Sequence, residues 1–204
     1  MPIESALSGP MFLSRPEITW KYLAEIEQGA RGASPNQAHN TLALMEQKFE
    51  RFWILTQNVD GFHSAAGSKN VIEIHGNMYR LNCTSCDYQK TYTDYSHIKI
   101  PPQCPRCEAM LRPNIVLFEE SLPEKQINTL YRETQIPFDL VFSIGTSSYF
   151  HYISEPIWTA KQAHIPTVEI NPSETAVSHL VDTKIELGAA DCLTEIWTQY
   201  QSQH

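Results

Sequence analysis

The sequence lacks the features that define several large classes of protein. It has no apolar run near the roughly 20 residues that a membrane-spanning helix needs, and residues 1–5 have neither the basic start nor the apolar stretch of a secretory signal. Its 15 lysines and arginines are outnumbered by 23 acidic residues, giving a net charge of −8, which disfavours binding to nucleic acid or anionic lipid. We therefore expect a cytoplasmic protein with no nucleic-acid or membrane partner, and a basic peptide suits its charge better.

Strand and helix patterns alternate in the part of the chain that follows residue 112. With 204 residues, of which 42% are hydrophobic, the chain is long enough to bury a sizeable core. Regular alternation predicts an α/β fold with a mostly parallel sheet and helices on both faces. Helices are expected at 17–28, 35–49, 123–135, 154–163 and 190–200, and strands at 52–56, 71–74, 114–118, 139–144, 167–170 and 184–187.

Four of the five cysteines form two Cys-x-x-Cys pairs. Cys83 and Cys86 are separated from Cys104 and Cys107 by 17 residues, a spacing typical of a four-thiolate zinc site. Four protein ligands leave no position for water, so such a zinc would be structural. Redox pairs or ordinary buried thiols are the alternatives, and the lone Cys192 is expected to be a small buried hydrophobe.

Polar residues follow the carboxyl ends of the predicted strands, where open parallel sheets bind ligands. They are Gln57, Asn58, Asp60, His75, Gly145, Thr146, Ser147 and Asn171. The Gly-Thr-Ser loop is suited to holding phosphate, Asn171 is suited to ribose hydroxyls, and His75 is the candidate general base because its ordinary pKa lies near neutrality. Taken singly, each of these residues is better explained as an ordinary turn or helix-cap residue, and only their joint placement favours a ligand site.

In this order the motifs resemble the sirtuins, the NAD-dependent protein deacylases. The resemblance is carried by residues 56–63, 66–67 and 71–77, the two cysteine pairs, and residues 112–116, 145–147 and 169–172. It implies a Rossmann-like domain at 1–76 and 113–204 with an inserted zinc-binding module at 77–112. It also implies NAD as co-substrate, structural zinc, and acetyl-lysine proteins or peptides as partners.

The resemblance also implies a role for each candidate residue. Asn58 and Asp60 would hold the nicotinamide end of NAD, and Gln57 would hold the nicotinamide ribose. Gly145, Thr146 and Ser147 would hold the phosphate region, Asn171 the adenosine ribose, and the backbone of Ala190 the adenine. His75 would be the base, and the products would be free lysine, nicotinamide and O-acetyl-ADP-ribose.

Three departures from the family pattern affect these expectations. None of the eight glycines belongs to a Gly-Ala-Gly-x-Ser motif, so weak NAD binding and turnover are expected of residues 1–204. Glu119 stands where the family usually has glycine, in Phe118-Glu119-Glu120, and the proline expected after the Gly-Thr-Ser loop is absent. A catalytically impaired binding module and an NAD hydrolase or ADP-ribosyltransferase are therefore the alternatives to a deacetylase.

One further feature bears on the acyl group. Family members that prefer acidic acyl chains carry a motif of the form Tyr-x-x-Arg in the helix before Pro-Asn. Counting back without a gap from Pro35-Asn36 gives Leu23 and Ile26 at those positions. Since neither side chain can bind a carboxylate, acetyl or longer apolar chains are expected to be preferred.

Overall fold

A computed structural model describes residues 1–203, which divide into two compact units. The first unit contains residues 1–34, 56–61 and 73–127, and the second contains residues 35–55, 62–72 and those from 128 onward. Neither unit is therefore a continuous segment of the sequence. Residues 77–112, the expected zinc module, lie within the first unit, and their status as a separate domain stays a prediction.

Helices and strands alternate between residues 124 and 170, as is typical of the α/β class. The helices are α1 (Ile3–Ala6), α2 (Gly9–Ser14), α3 (Pro16–Ala30), α4 (Gln37–Lys48), α5 (Phe62–Ala65), α6 (Glu124–Thr134), α7 (His151–Gln162) and α8 (Ala189–Gln203). The strands are β1 (Ile54–Thr56), β2 (Val71–Glu73), β3 (Gly76–Cys83), β4 (Gln89–Thr91), β5 (Leu111–Ile115), β6 (Val141–Ile144), β7 (Thr167–Ile170) and β8 (Thr183–Ile185). Strands β1 and β2 form a two-stranded sheet.

The first unit combines α1–α3 with an antiparallel sheet of order β4-β3-β5. Its core is organised around Trp20, which is fully buried and donates its indole N–H to the Leu111 carbonyl at 3.1 Å. The ring of Tyr95 packs at 5.7 Å from the Trp20 ring. This core fixes helix α3 against the strand that leads out of the cysteine segment.

The second unit contains a parallel sheet of order β6-β7-β8. Helix α4 begins with a capping box, in which Asn36 accepts from the His39 N–H and the His39 ring accepts from the Asn36 N–H. Buried Ala38 in α4 shares a core with Ile170 in β7 and Leu193 in α8. Cys192 is 4% exposed in the same core, which confirms its expected role as a buried hydrophobe.

The predicted α/β class with a parallel sheet and a cysteine cluster is confirmed. One strand lies elsewhere than expected, because the ladder with β3 involves 111–115 rather than 114–118. Among residues 1–203, no helix combines the length and the apolar composition that crossing a membrane requires.

Candidate active site

His75 lies in a tight turn between β2 and β3, and its backbone is fixed from both sides. Val116 donates its N–H to the His75 carbonyl at 3.0 Å. The next residue, Gly76, has a φ of +81°, and a Cβ built on it would collide with the carbonyl group of Asn114. Only glycine suits this position, so the His-Gly pair brings the histidine close to β5 in a defined orientation.

The His75 ring is partly buried, and this burial favours its neutral form. Burial lowers the pKa of His75 below its ordinary value of 6.5, and a hydrogen bond to the Gln57 backbone offsets part of that effect. A neutral imidazole can accept a proton near pH 7. The structure therefore brings two of the predicted residues together and gives one of them the properties of a general base.

The loop that carries Gln57, Asn58 and Asp60 is held beside the same turn. The Asn58 N–H donates to the Thr56 hydroxyl at 3.1 Å, and the Val59 carbonyl accepts from the Met78 N–H at 2.9 Å. The second of these hydrogen bonds ties the loop to the strand that begins just after His75. Four predicted residues thus lie in the first unit, on this loop and this turn.

A second group of predicted residues lies at the carboxyl ends of β6 and β7 in the second unit. Gly145 has a φ of +59°, with no heavy atom within 4 Å of a Cβ built on it. Asn171 donates its side-chain amide to the Thr146 carbonyl at 3.1 Å and accepts from the Ser173 N–H at 3.0 Å. Ser147 accepts from the Ala176 N–H at 3.1 Å. The loop is therefore ordered, with open space at its glycine.

Ala190 lies in the first turn of α8, also in the second unit. The first hydrogen bond of this helix runs from the Cys192 N–H to the Gly188 carbonyl at 3.2 Å. The N–H of Ala190 therefore precedes the hydrogen-bonded part of the helix, where backbone donors lack intrahelical partners. Such a donor is available to a ligand.

The four paired cysteines converge at one point. Their sulfur atoms all lie within 4.8 Å of one another, with Cys83–Cys107 at 3.4 Å, Cys86–Cys107 at 3.6 Å and Cys86–Cys104 at 3.7 Å. Four sulfurs bound to zinc at about 2.3 Å would lie about 3.8 Å apart in a tetrahedron.

Backbone N–H groups also point at these sulfurs. Ser85 and Cys86 donate to Cys83, and Arg106 donates to Cys104, at 3.3 to 3.4 Å. Such donors stabilise thiolate ligands. The residues present therefore fit a structural zinc ion.

Comparison with known proteins assigns the family. Residues 2–151 match the model of the Sir2 family. The chain belongs to the Sir2 family. It is 44% identical over 199 residues to a Pseudomonas aeruginosa protein named NAD-dependent protein deacylase 2, covering 96% of this chain and 78% of that protein.

Solved structures of Sir2 homologues share the fold of this chain. A mutant Sir2 homologue in complex with 2′-O-acetyl ADP ribose superposes with a TM-score of 0.88 at 31% identity, covering 99% of this chain and 80% of that one. A Sir2 protein bound to an acetylated peptide gives a TM-score of 0.86 at 27% identity, covering 96% and 83%.

Sequence reasoning missed a buried polar network beside His75 in this Sir2-family chain. Glu73 accepts from the Asn77 amide at 3.0 Å and pairs with Arg80, and Asn77 also accepts from the Tyr79 N–H at 3.0 Å. Glu73 and Asn77 are both buried. The Asn that follows His-Gly is the one signal that could have revealed the network, since a buried amide needs partners.

Proposed function

We propose that this Sir2-family chain is an NAD-dependent protein lysine deacetylase of the acyltransferase class. It would convert NAD, water and acetyl-lysine protein to nicotinamide, deacetylated lysine and O-acetyl-ADP-ribose. The observation that carries the proposal is the partly buried His75 hydrogen-bonded to the Gln57 backbone, with its pKa lowered by burial, in a chain 44% identical to a protein deacylase. No serine or cysteine is needed as nucleophile, because the acyl oxygen itself attacks the ribose carbon of NAD that nicotinamide leaves.

Each candidate residue has a proposed role in binding NAD. Asn58 and Asp60 would bind the nicotinamide end, and Gln57 the nicotinamide ribose. Gly145, Thr146 and Ser147 would hold the phosphates, Asn171 the adenosine ribose and the Ala190 backbone the adenine. The open space at Gly145 supports this role, because phosphate oxygens need close access to backbone donors.

His75 would act on a proton rather than on a carbon. NAD supplies an activated ribose carbon from which nicotinamide leaves. The neutral ring of His75 would accept the proton of a ribose hydroxyl and so make that oxygen nucleophilic towards the acyl carbon. The hydrogen bond from the ring to the Gln57 backbone occupies one ring nitrogen and so orients the imidazole.

The four cysteines would hold one structural zinc ion, and residues 77–112 would form the zinc module. Structural zinc adds about 10 to 16 kcal/mol of apparent binding free energy to a small module, so chelation should unfold this segment. Metal analysis should give one zinc per chain, and hydrogen exchange after chelation should rise in 77–112. Pure protein without zinc would contradict the assignment.

The deciding experiment measures nicotinamide release with and without an acetyl-lysine peptide, together with the mass of the ADP-ribose product. A deacetylase releases nicotinamide only with peptide and forms O-acetyl-ADP-ribose. Release without peptide indicates an NAD hydrolase or ADP-ribosyltransferase. Binding of peptide or NAD without release of nicotinamide indicates an impaired binding module. The same assay measures the weak turnover expected of residues 1–204, which stays a prediction.

We also propose that the protein works in the cytoplasm. Five free cysteines, four of them converging as a thiolate cluster, suit a reducing compartment. Fractionation of cells with an antibody against the chain tests this location.

A further inference from the structure

The turn at residues 117–120 contains an unusual glutamate. The Glu120 N–H donates to the Leu117 carbonyl at 3.1 Å, which closes a turn with Phe118 and Glu119 at its centre. Glu119 has a φ of +67°, a conformation that favours glycine at this position of the turn. The chain thus keeps an exposed glutamate where glycine would be unstrained.

The turn is held rigidly by its neighbours. Arg112 donates to both carboxylate oxygens of Glu120 at 2.9 and 3.0 Å, and Glu120 also accepts from the Leu117 N–H at 3.0 Å. Phe118 donates to the Leu7 carbonyl and accepts from the Gly9 N–H, both at 2.9 Å. These contacts fix the backbone on either side of Glu119.

Glu119 contributes the uncompensated charge of this turn. The charge of Glu120 is neutralised by Arg112, whereas Glu119 forms no ion pair with any residue of 1–203. Its side chain is exposed beside Phe118, which is 43% exposed. An aromatic surface next to a free carboxylate suits a lysine or arginine side chain, with its apolar stem and cationic end.

The turn follows directly from the segment that contacts the candidate base. Val116 donates to the His75 carbonyl at 3.0 Å, and Glu119 is three residues further on, at most about 10 Å along an extended chain. An acyl-lysine side chain spans about 7 to 8 Å from its Cα to its acyl carbon. Flanking residues of the same peptide add about 3.3 Å each. These lengths are comparable, so the distance allows a flanking side chain to contact Glu119 while the acyl group is near His75.

We propose that Glu119 is a specificity-determining residue that selects acyl-lysine segments with arginine or lysine within two residues of the acylated lysine. This inference rests on the proposed deacetylase function. The net charge of −8 acts in the same direction, because it attracts basic substrates over a longer range.

The test uses peptides with a central acetyl-lysine and one arginine or one glutamate at each of the four flanking positions. For each peptide, the Kd is measured by fluorescence anisotropy and kcat/KM by nicotinamide release, with an all-neutral peptide as reference. At one or more positions, arginine should bind about fivefold more tightly than glutamate, close to the upper end for an exposed ion pair. The preference should shrink in high salt.

Two variants make the test specific. Glu119→Gln should reduce the ratio of arginine-peptide to glutamate-peptide affinity to below about twofold. Glu124→Gln removes an exposed charge five residues away and should retain the wild-type ratio. Equal affinities in the wild type, or a ratio that survives Glu119→Gln, would overturn the inference. If arginine peptides bind more tightly than glutamate peptides but no peptide is turned over, the deacetylase function is refuted. The role of Glu119 in selecting basic peptides would still be supported.

Discussion

Replacing Gly76 by alanine should cost more stability than the same replacement at Gly32, although the two glycines share a φ of +81°. Both lie in the first unit. At Gly32 no heavy atom lies within 4 Å of the added Cβ, whereas at Gly76 it would lie 3.1 Å from the Ile115 Cα and overlap the Asn114 carbonyl. Gly32→Ala therefore measures backbone strain alone, and Gly76→Ala measures strain plus collision.

The magnitudes separate the two effects. A left-handed conformation costs an L-residue roughly 1 to 2 kcal/mol, which is the whole loss expected for Gly32→Ala. Overpacking adds about 1 to 3 kcal/mol, and the colliding atoms at Gly76 are backbone atoms, which cannot rotate away. With a slope of about 2 kcal/mol/M, the urea midpoints of the two variants should differ by about 0.5 to 1.5 M.

Activity provides a second measurement on the same pair of variants. To relieve the collision, β5 or the His75 turn must move, and a displacement near 1 Å can cost about a hundredfold in rate. Gly76→Ala should therefore lose activity even below its unfolding midpoint. Urea titrations with zinc present, analysed by linear extrapolation, measure the loss of stability. Peptide turnover at 25 °C measures the loss of activity. Equal midpoints for the two variants would refute the collision argument.

Three further predictions follow from the same site. His75→Ala should keep NAD affinity, measured by calorimetry, and lower deacylation at least about a hundredfold; near-normal turnover would remove His75 from the mechanism. Because burial lowers the pKa of His75, activity that requires the neutral ring should fall only as the pH drops below 6.5, and an acid limb above that value in the kcat profile would contradict this. Acetyl-lysine should react better than succinyl-lysine in a competition assay, since Leu23 is buried in an apolar core and Ile26 is aliphatic; a succinyl preference would show that another residue binds the carboxylate.

The parts of the fold with strong periodicity could be predicted from the sequence. Strands β6 and β7 and helix α6 lie within three residues of their expected bounds. Their patterns are local, because each strand of a parallel sheet is a short apolar run and each helix a repeat of about 3.6 residues. The cysteine quartet was predictable for another reason, since the ligand spacing of a zinc site is itself a sequence pattern.

Strand β3 and helix α2 were missed because their sequences contain residues that usually break such elements. Strand β3 begins at Gly76, which weakens a strand by propensity but is required here by the close approach of Asn114. Helix α2 begins with Gly9 and Pro10, and Pro near a helix start is favourable when Ser8 caps the helix by accepting from the Met11 N–H. In both cases the deciding contact involves residues that a local pattern does not include.

Gly76 and Glu119 show why conformation alone does not decide which residue a turn carries. Both have positive φ values. Gly76 directly follows His75, and Glu119 is three residues beyond Val116, which donates to the His75 carbonyl. At Gly76 a side chain would collide with backbone, so packing leaves glycine as the sole choice. At Glu119 the side chain is exposed, so strain rather than collision is what favours glycine there. A strained residue persists where the surrounding structure holds it in place, and here the bond between Arg112 and Glu120 supplies that support. Because the Glu119 carboxylate has no ion-pair partner within residues 1–203, the peptide series measures whether a basic substrate residue is its partner.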